Sequence, residues 1–466
     1  MIYSEKDKMR AVDYFFKEKI KIFGITFQII DILFLISILM LGILARVCLF
    51  DVVSGDYYTA FADWMKEIRN AHAMHLPYIG VEAGGVDHIS TCDYNCLYQY
   101  IIIFLNLFNN GGANDMYLIK SMSIFFDVMS AIVAFRIILE MSRNVKKASL
   151  MFAVILFIPT MMLNSAAWAQ NDSMYTTFLM LSFLYLLKRK DMRVWIFFAI
   201  SYCVKQQAIF FLPVLIIAWL KNRLKIRYIF FIPLVYVMVI IPAAIAGAFV
   251  PSSVTVPVAS LVDTGNVVWT ESFIPVDGMI TLNPTGKTFF SLLGIYKNQV
   301  AMFSRLSMNY PNIYTIIQTG LEKADRQIII SAGEVVTVML MGMLAYYIYV
   351  KKVKFDGMFL VTLAFFSSSL IVYTLPCMHE RYGFVAEIFA FIYGMFGFKR
   401  MCLAIMLQGI TLVTYTRYLW GASSSLTTAN LVVFAFIMMG IIMLIGYDLY
   451  NQINSPRTAT ENSKNQ

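Results

Sequence analysis

Two basic clusters, Lys188-Arg189-Lys190 and Lys221-Asn222-Arg223-Leu224-Lys225-Ile226-Arg227, bracket the stretch 191–220, DMRVWIFFAISYCVKQQAIFFLPVLIIAWL, whose reading decides the fold. A membrane span takes roughly 20 apolar residues, and short positive segments stay on the cytoplasmic side. One span would put the clusters on opposite faces, and two full spans would need a longer stretch. With both clusters on one face, the residues read as two short helices, Val194 to Val204 and Ala208 to Leu220. They meet at Lys205-Gln206-Gln207 inside the membrane, where broken backbone is tolerated only against other protein. The competing reading is one long tilted helix with a snorkelling Lys205; it reverses every later loop and spoils the charge pattern.

Composition agrees with a membrane setting. Of 466 residues, 59% are hydrophobic and only 14% charged, against roughly a quarter charged in soluble domains. The net charge of +9 collects in short segments between apolar runs, which is orientation charge rather than a nucleic-acid surface. The chain is therefore expected to be an all-α polytopic membrane protein. Residues 1–24 form a cytoplasmic segment ahead of a retained first span, Ile25 to Val47. An external segment, 48–114, carries an amphipathic interfacial helix from Tyr58 to Ile68 and a second amphipathic stretch, Leu97 to Phe108. Spans follow at Met116 to Leu139 and Ser149 to Leu163, and a fourth runs down to Lys188. After the two short helices comes Tyr228 to Phe249, then a second external segment, 250–327. Five further spans (Ile328 to Val350, Gly357 to Leu375, Tyr382 to Phe398, Met401 to Tyr418, Leu426 to Tyr447) lead to a cytoplasmic tail, 448–466. Counting the short helices, about 12 transmembrane helices are expected in the cell membrane, with both termini cytoplasmic.

Under this topology the conspicuous polar residues fall on the external face: Asp56 and Asp63, Asp93, Asn164, Gln170, Asp172 and His379-Glu380-Arg381-Tyr382. Asp56 follows Ser54-Gly55 at the mouth of the interfacial helix, where taken alone it reads as an N-cap. Arg381 taken alone reads as an interfacial anchor. Together with Lys205, however, Arg381 and His379 offer cations and donors at headgroup depth, a chemistry suited to a lipid phosphate ester. Asp127, in mid-span, reads as a buried, hydrogen-bonded residue. His88, Cys92 and Cys96 share a four-residue spacing, but the turn Asp93-Tyr94-Asn95 argues against a metal there; Cys92 and Cys96 are alternatively a candidate disulfide pair. No internal repeat of the transporter kind is evident.

Trp168-Ala169-Gln170-Asn171-Asp172-Ser173, Lys205-Gln206-Gln207-Ala208 with Pro213, and Met378-His379-Glu380-Arg381-Tyr382 resemble motifs of the GT-C glycosyltransferases. The resemblance is to bacterial membrane proteins similar to the second mannosyltransferase of GPI-anchor synthesis. Ser54-Gly55-Asp56-Tyr57 with Trp64-Met65 is similar to the first luminal loop of the dolichyl-phosphate-glucose glucosyltransferases. The resemblance covers residues 25–395, with residues 396–447 as C-terminal helices. It implies a GT-C-like helical bundle and an inverting, metal-independent enzyme without cofactor. Such an enzyme moves a hexose of the mannose, glucose or galactose type from a polyprenyl-phosphate donor to an extracytoplasmic glycan, glycolipid or protein. One departure is Ala169, where relatives usually carry Gly.

Displacing a lipid phosphate from an anomeric carbon needs a deprotonated acceptor hydroxyl but no acid, because the phosphate leaves as an anion; a glycosidase needs two carboxyl groups. Asp56 is the expected general base, in the position of the essential first-loop acid of the resembled family. Arg381, His379 and Lys205 are expected to hold the donor phosphate. Asp172 and Gln170 bind sugar hydroxyls or brace the loop, Trp168, Tyr382 and Gln206 support the site, and Glu380 orients His379 or Arg381. A flippase or exporter of lipid-linked glycans is the alternative, and a glycan polymerase a third reading.

Overall fold

The computed structural model describes residues 13–66, 94–109, 114–245, 254–257, 279–282, 293, 296, 305–317, 323–421 and 427–455. His72, His75, the Gly84-Gly85 turn, His88, Cys92 and Asp93 lie outside the described residues, as do the tail from 456 onward and much of 250–327; the disulfide and metal readings at Cys92 therefore fall there too. The described architecture is all-α and membrane-embedded, with three small two-stranded pairings.

The first half comprises α1 (Ile29–Val47), α2 (Cys96–Asn106), α3 (Asp115–Ser142), α4 (Val145–Leu156), α5 (Pro159–Met162), α6 (Asp172–Leu187), α7 (Asp191–Val204) and α8 (Leu212–Leu220). The second comprises α9 (Phe231–Ile245), α10 (Lys323–Val350), α11 (Gly357–Thr374), α12 (Phe384–Gly394), α13 (Phe398–Trp420) and α14 (Thr428–Asn454). Among the described residues, six helices are long and apolar enough to cross a membrane, or seven if the bent pair Val145–Leu156 and Pro159–Ala167 counts as one span. The remaining apolar segments are shorter. α1, α10 and α14 expose large apolar side chains such as Met40, Met343 and Leu444, as surfaces facing lipid do.

Three differences from the expected spans have local causes. The first span loses its opening residues to a hairpin of β1 (Lys19–Ile22) and β2 (Ile25–Gln28), which turns through Phe23 and Gly24, both at positive φ. The third span bends by 51° where Pro159, which cannot donate to the preceding turn, restarts the helix. The expected span Tyr382 to Phe398 shrinks to the 11 residues of α12, because Glu380–Gly383 forms a 3-10 turn. At about 16 Å α12 is shorter than an ordinary span, and every one of its residues is buried, wrapped by other helices.

The deciding stretch breaks where parity requires. α7 ends at Val204, Lys205 is extended at φ −153° and ψ 133°, and a 3-10 turn over Gln206–Phe211 leads into α8, with Pro213 in its first turn. α6 and α7 pack antiparallel, joined by Ser182 Oγ to the Val194 carbonyl at 2.9 Å and Ser201 Oγ to the Tyr175 carbonyl at 2.6 Å. One end of this pair therefore carries Asp172 and Lys205, and the other carries Lys188-Arg189-Lys190. α11 runs between the same two ends, from Gly357 toward the turn that bears Arg381.

Two buried cations fasten the first helix. Arg46 Nε donates to Asp127 Oδ2 at 2.7 Å and Arg46 Nη1 to the carbonyls of Gly42 (3.0 Å) and Leu156 (2.9 Å), while Ser165 Oγ donates to the same carboxylate at 2.6 Å. Asp127 is thus the buried, bonded span residue its sequence position implied. Beyond α1, Lys120 Nζ donates to the carbonyls of Leu49 (3.2 Å), Phe50 (2.7 Å) and Val52 (2.5 Å). That ammonium group holds the chain just before Asp56.

Candidate functional site

The site assembles from four places in the chain. Asp56 precedes the single π turn Tyr57–Phe61 and caps nothing with its side chain, so the N-cap reading is corrected. Its carboxylate reaches inward instead. Oδ2 accepts from Trp168 Nε1 at 2.8 Å, Gln170 Nε2 at 2.5 Å and Arg381 Nη1 at 3.2 Å. Oδ1 accepts from the Tyr418 hydroxyl. Ser54 Oγ donates to the Trp168 carbonyl at 2.9 Å, which ties the two loops at a second point.

The Trp168–Asp172 loop owes its shape to how α5 ends. Leu163–Ala167 forms a π turn closed by Trp168 N donating to the Leu163 carbonyl at 2.8 Å, and Gln170 N then returns to the Asn164 carbonyl at 2.9 Å. Between them Ala169 takes φ +65°, the left-handed region that costs a residue with a Cβ about 1–2 kcal/mol. A glycine would adopt it freely, so Ala169 stands where the backbone asks for glycine. Asp172 sits in the first turn of α6, where the helix dipole favours an anion.

Both oxygens of Asp172 are engaged by neighbouring side chains. Its Oδ1 accepts from Lys205 Nζ at 2.5 Å and its Oδ2 from Asn164 Nδ2 at 2.8 Å. Lys205, at the C-terminus of α7, is 6% exposed; only an anion beside it makes an ammonium tolerable at that burial. Arg381 lies between the two carboxylates, with Nε 3.9 Å from Asp172 Oδ2 and Cζ 5.2 Å from the centre of the Trp168 ring. Two carboxylates and two cations thus balance within one cluster.

Arg381 arrives on the 3-10 turn Glu380–Gly383. The turn is seated by β4 (Met378–His379), which pairs in parallel with β3 (Ser307–Met308), so the end of the 250–327 segment reaches the site. Gly383 is required there: a Cβ would meet Tyr310 Cε2 at 2.8 Å. Burial, reinforced by Arg381 and Lys205, holds His379 well below its ordinary pKa, so it stands neutral, a single N–H donor rather than a cation. Burial pushes Glu380 up to about 7, with Arg381 pulling the other way. Tyr382 is buried, with its ring 5.1 Å from His379, and bonds Gln207.

Of the expected site residues, Asp56, Trp168, Gln170, Asp172, Lys205 and Arg381 form one continuous cluster, with His379, Glu380 and Tyr382 around Arg381. Arg381 is no interfacial anchor, being 11% exposed and paired. Gln206 is half-buried and it is its neighbour Gln207 that meets Tyr382, because the 3-10 turn after Lys205 rotates the side chains differently from an α-helix. Sequence reasoning missed Tyr418, which stacks on Trp168 at 4.0 Å and 14°. It also missed Tyr94, whose hydroxyl donates to Gln170 Oε1 at 3.4 Å. Asn164, noted among the polar residues, proves to be a direct partner of Asp172. No model of a known protein family matches the chain, and neither does any curated protein.

Proposed function

We propose that this chain is an inverting glycosyltransferase of the GT-C type, transferring a hexose from a polyprenyl-phosphate donor to an extracytoplasmic glycan, glycolipid or protein acceptor. The observation that carries the reading is the contact of Asp56, just after the first span, with Arg381, 325 residues later, at 3.2 Å. That ion pair stands beside the Lys205–Asp172 pair at one end of the bundle. In this reading the twelve-helix topology holds, counting the short helices, with both termini cytoplasmic and the Asp56 end outside.

In the transfer, the acceptor oxygen forms a bond to the anomeric carbon as the bond from that carbon to the phosphate oxygen breaks. The hydroxyl proton passes to Asp56, and polyprenyl phosphate leaves as an anion. Asp56 Oδ2 already accepts three donors that orient the carboxylate, whereas Oδ1 holds only the Tyr418 hydroxyl, so the acceptor approaches Oδ1. Arg381 takes up the charge that develops on the leaving phosphate, with the neutral His379 as an added N–H donor. Lys205, held by Asp172, supplies a second positive field without moving. Below about pH 7 Glu380 is mostly protonated and adds little negative charge to a site that must admit an anion.

The test is Asp56→Asn in proteoliposomes supplied with a polyprenyl-phosphate hexose. Transfer should fall by about 10² to 10⁴, the usual range for loss of a general base, with donor binding retained. Unchanged turnover would remove the base assignment. Movement of a lipid-linked glycan across the bilayer without formation of a glycosidic bond would favour the flippase reading instead.

A further inference from the structure

We propose that the cleft at the opposite end of the bundle binds the headgroup of an anionic phospholipid. The cleft has a volume of about 490 Å³ and lies between the turn that follows α8 and the segment joining α10 to α11. Lys221, Arg223, Lys351 and Lys352 line it, and none of its ten lining residues is acidic. It shares no residue with the Asp56 cluster and rests on no part of the transferase reading.

Three observations converge on such a ligand. The walls are fixed to one another, since Lys221 Nζ donates to the Tyr349 carbonyl at 3.2 Å and the Lys351 carbonyl at 2.6 Å. The cations are also held in place: Arg223 Cζ lies 5.7 Å from the Phe355 ring centre and Lys351 Nζ 5.4 Å from that of Tyr347. Four like charges around one concavity repel each other, and an anion entering it relieves the repulsion. The cleft also opens onto lipid-facing surface. Met339, Met343, Tyr346 and Val350 are exposed at helical spacing along α10, ending in the cleft wall. An anion with acyl chains can lay those chains along this stripe, which a free phosphate cannot use. Basic pockets between helices at a membrane surface take phospholipid headgroups in this manner.

Native mass spectrometry of the full-length protein in detergent tests the assignment, with dioleoyl-phosphatidylglycerol, dioleoyl-phosphatidylcholine and glycerol phosphate as probes. The phosphatidylglycerol adduct should dominate over phosphatidylcholine and resist competition by glycerol phosphate. Arg223→Gln and Lys352→Gln should each weaken it roughly fivefold, the effect of one surface charge near a membrane. Lys190→Gln, at the same end but outside the cleft, should leave it unchanged. Equal retention of the two lipids, loss to glycerol phosphate at equal concentration, or an equal effect of Lys190→Gln would overturn the proposal. If the cleft variants do not fold, a photoactivatable phosphatidylglycerol on the unaltered protein decides. Labelling of 220–223 and 349–355 supports the site, and labelling confined elsewhere overturns it.

Discussion

Two of the Asp–Arg pairs in this bundle, one sealed and one partly open, are built for different ends. Arg46 and Asp127 are both 0% exposed at their side chains, and backbone carbonyls and Ser165 take up the neighbouring hydrogen-bonding groups. Arg381 and Asp56 are 11% and 26% exposed, and their neighbours are long or aromatic side chains from distant elements. The first pair joins the end of α1 to the middle of α3, and on the Arg46 side it is held by backbone carbonyls that cannot leave. The second joins segments at the end of the bundle, and its further contacts come from side chains rather than from backbone. Burial and an ion pair alone therefore mark no site; what differs is whether the surrounding groups can be exchanged for a ligand.

The sharpest way to break this comparison is to remove one carboxylate from each pair. Asp56→Asn should cost the factor of about 10² to 10⁴ in transfer stated above, while its melting temperature in detergent stays close to the parent's. Asp127→Ala should do the reverse, lowering stability by about 3–5 kcal/mol as an uncompensated Arg46 is left buried, with the acceptor KM of surviving protein unchanged. If Asp127→Ala melts like the parent, the sealed pair is no fastening.

Glu380 sharpens the contrast through pH. Folding raises its pKa from an ordinary 4.5 to about 7, so the folded state holds the extra proton between those values. The contribution of Glu380 to stability should be fully present below pH 4.5, fall as pH rises toward 7 by up to roughly 3 kcal/mol, and level off above. Glu380→Gln should reduce that slope in a series of melting curves; an unchanged slope would assign it to other groups. The smallest effect is expected from Tyr418→Phe, which keeps the stacking on Trp168 but releases Asp56 Oδ1. Acceptor KM should drop by roughly fivefold, about the worth of one hydrogen bond, with kcat little altered. A fall in kcat at constant KM would instead make the phenol a positioning group for the base.

Much of this arrangement was legible before any coordinates. The break at Lys205 followed from counting residues between basic clusters, and the meeting of Asp56 with Arg381 followed from placing both on one face. The residues that escaped did so for a shared reason. Tyr418 reads as the last residue of an apolar span and Tyr94 as part of a turn, and nothing in their spacing states which distant segment they face. Arg46 was hidden at the end of the first span, where a cation passes for an interfacial anchor. Gln206 was taken for its neighbour because a 3-10 turn changes the angular step between residues. Helix existence is written in local pattern; the rotation of one helix against another depends on packing between segments far apart in the chain.

The grip of Lys120 on the carbonyls of Leu49, Phe50 and Val52 bears on how the protein meets bilayers of different thickness. A helix accommodates a thicker or thinner hydrocarbon layer by tilting, and a loop anchored only to lipid headgroups would drift with it. Here the chain leaving α1 is solvated by an ammonium group on α3, so both helices carry it together. The carboxylate six residues after Phe50 keeps its depth relative to the protein, whatever the surrounding lipid imposes.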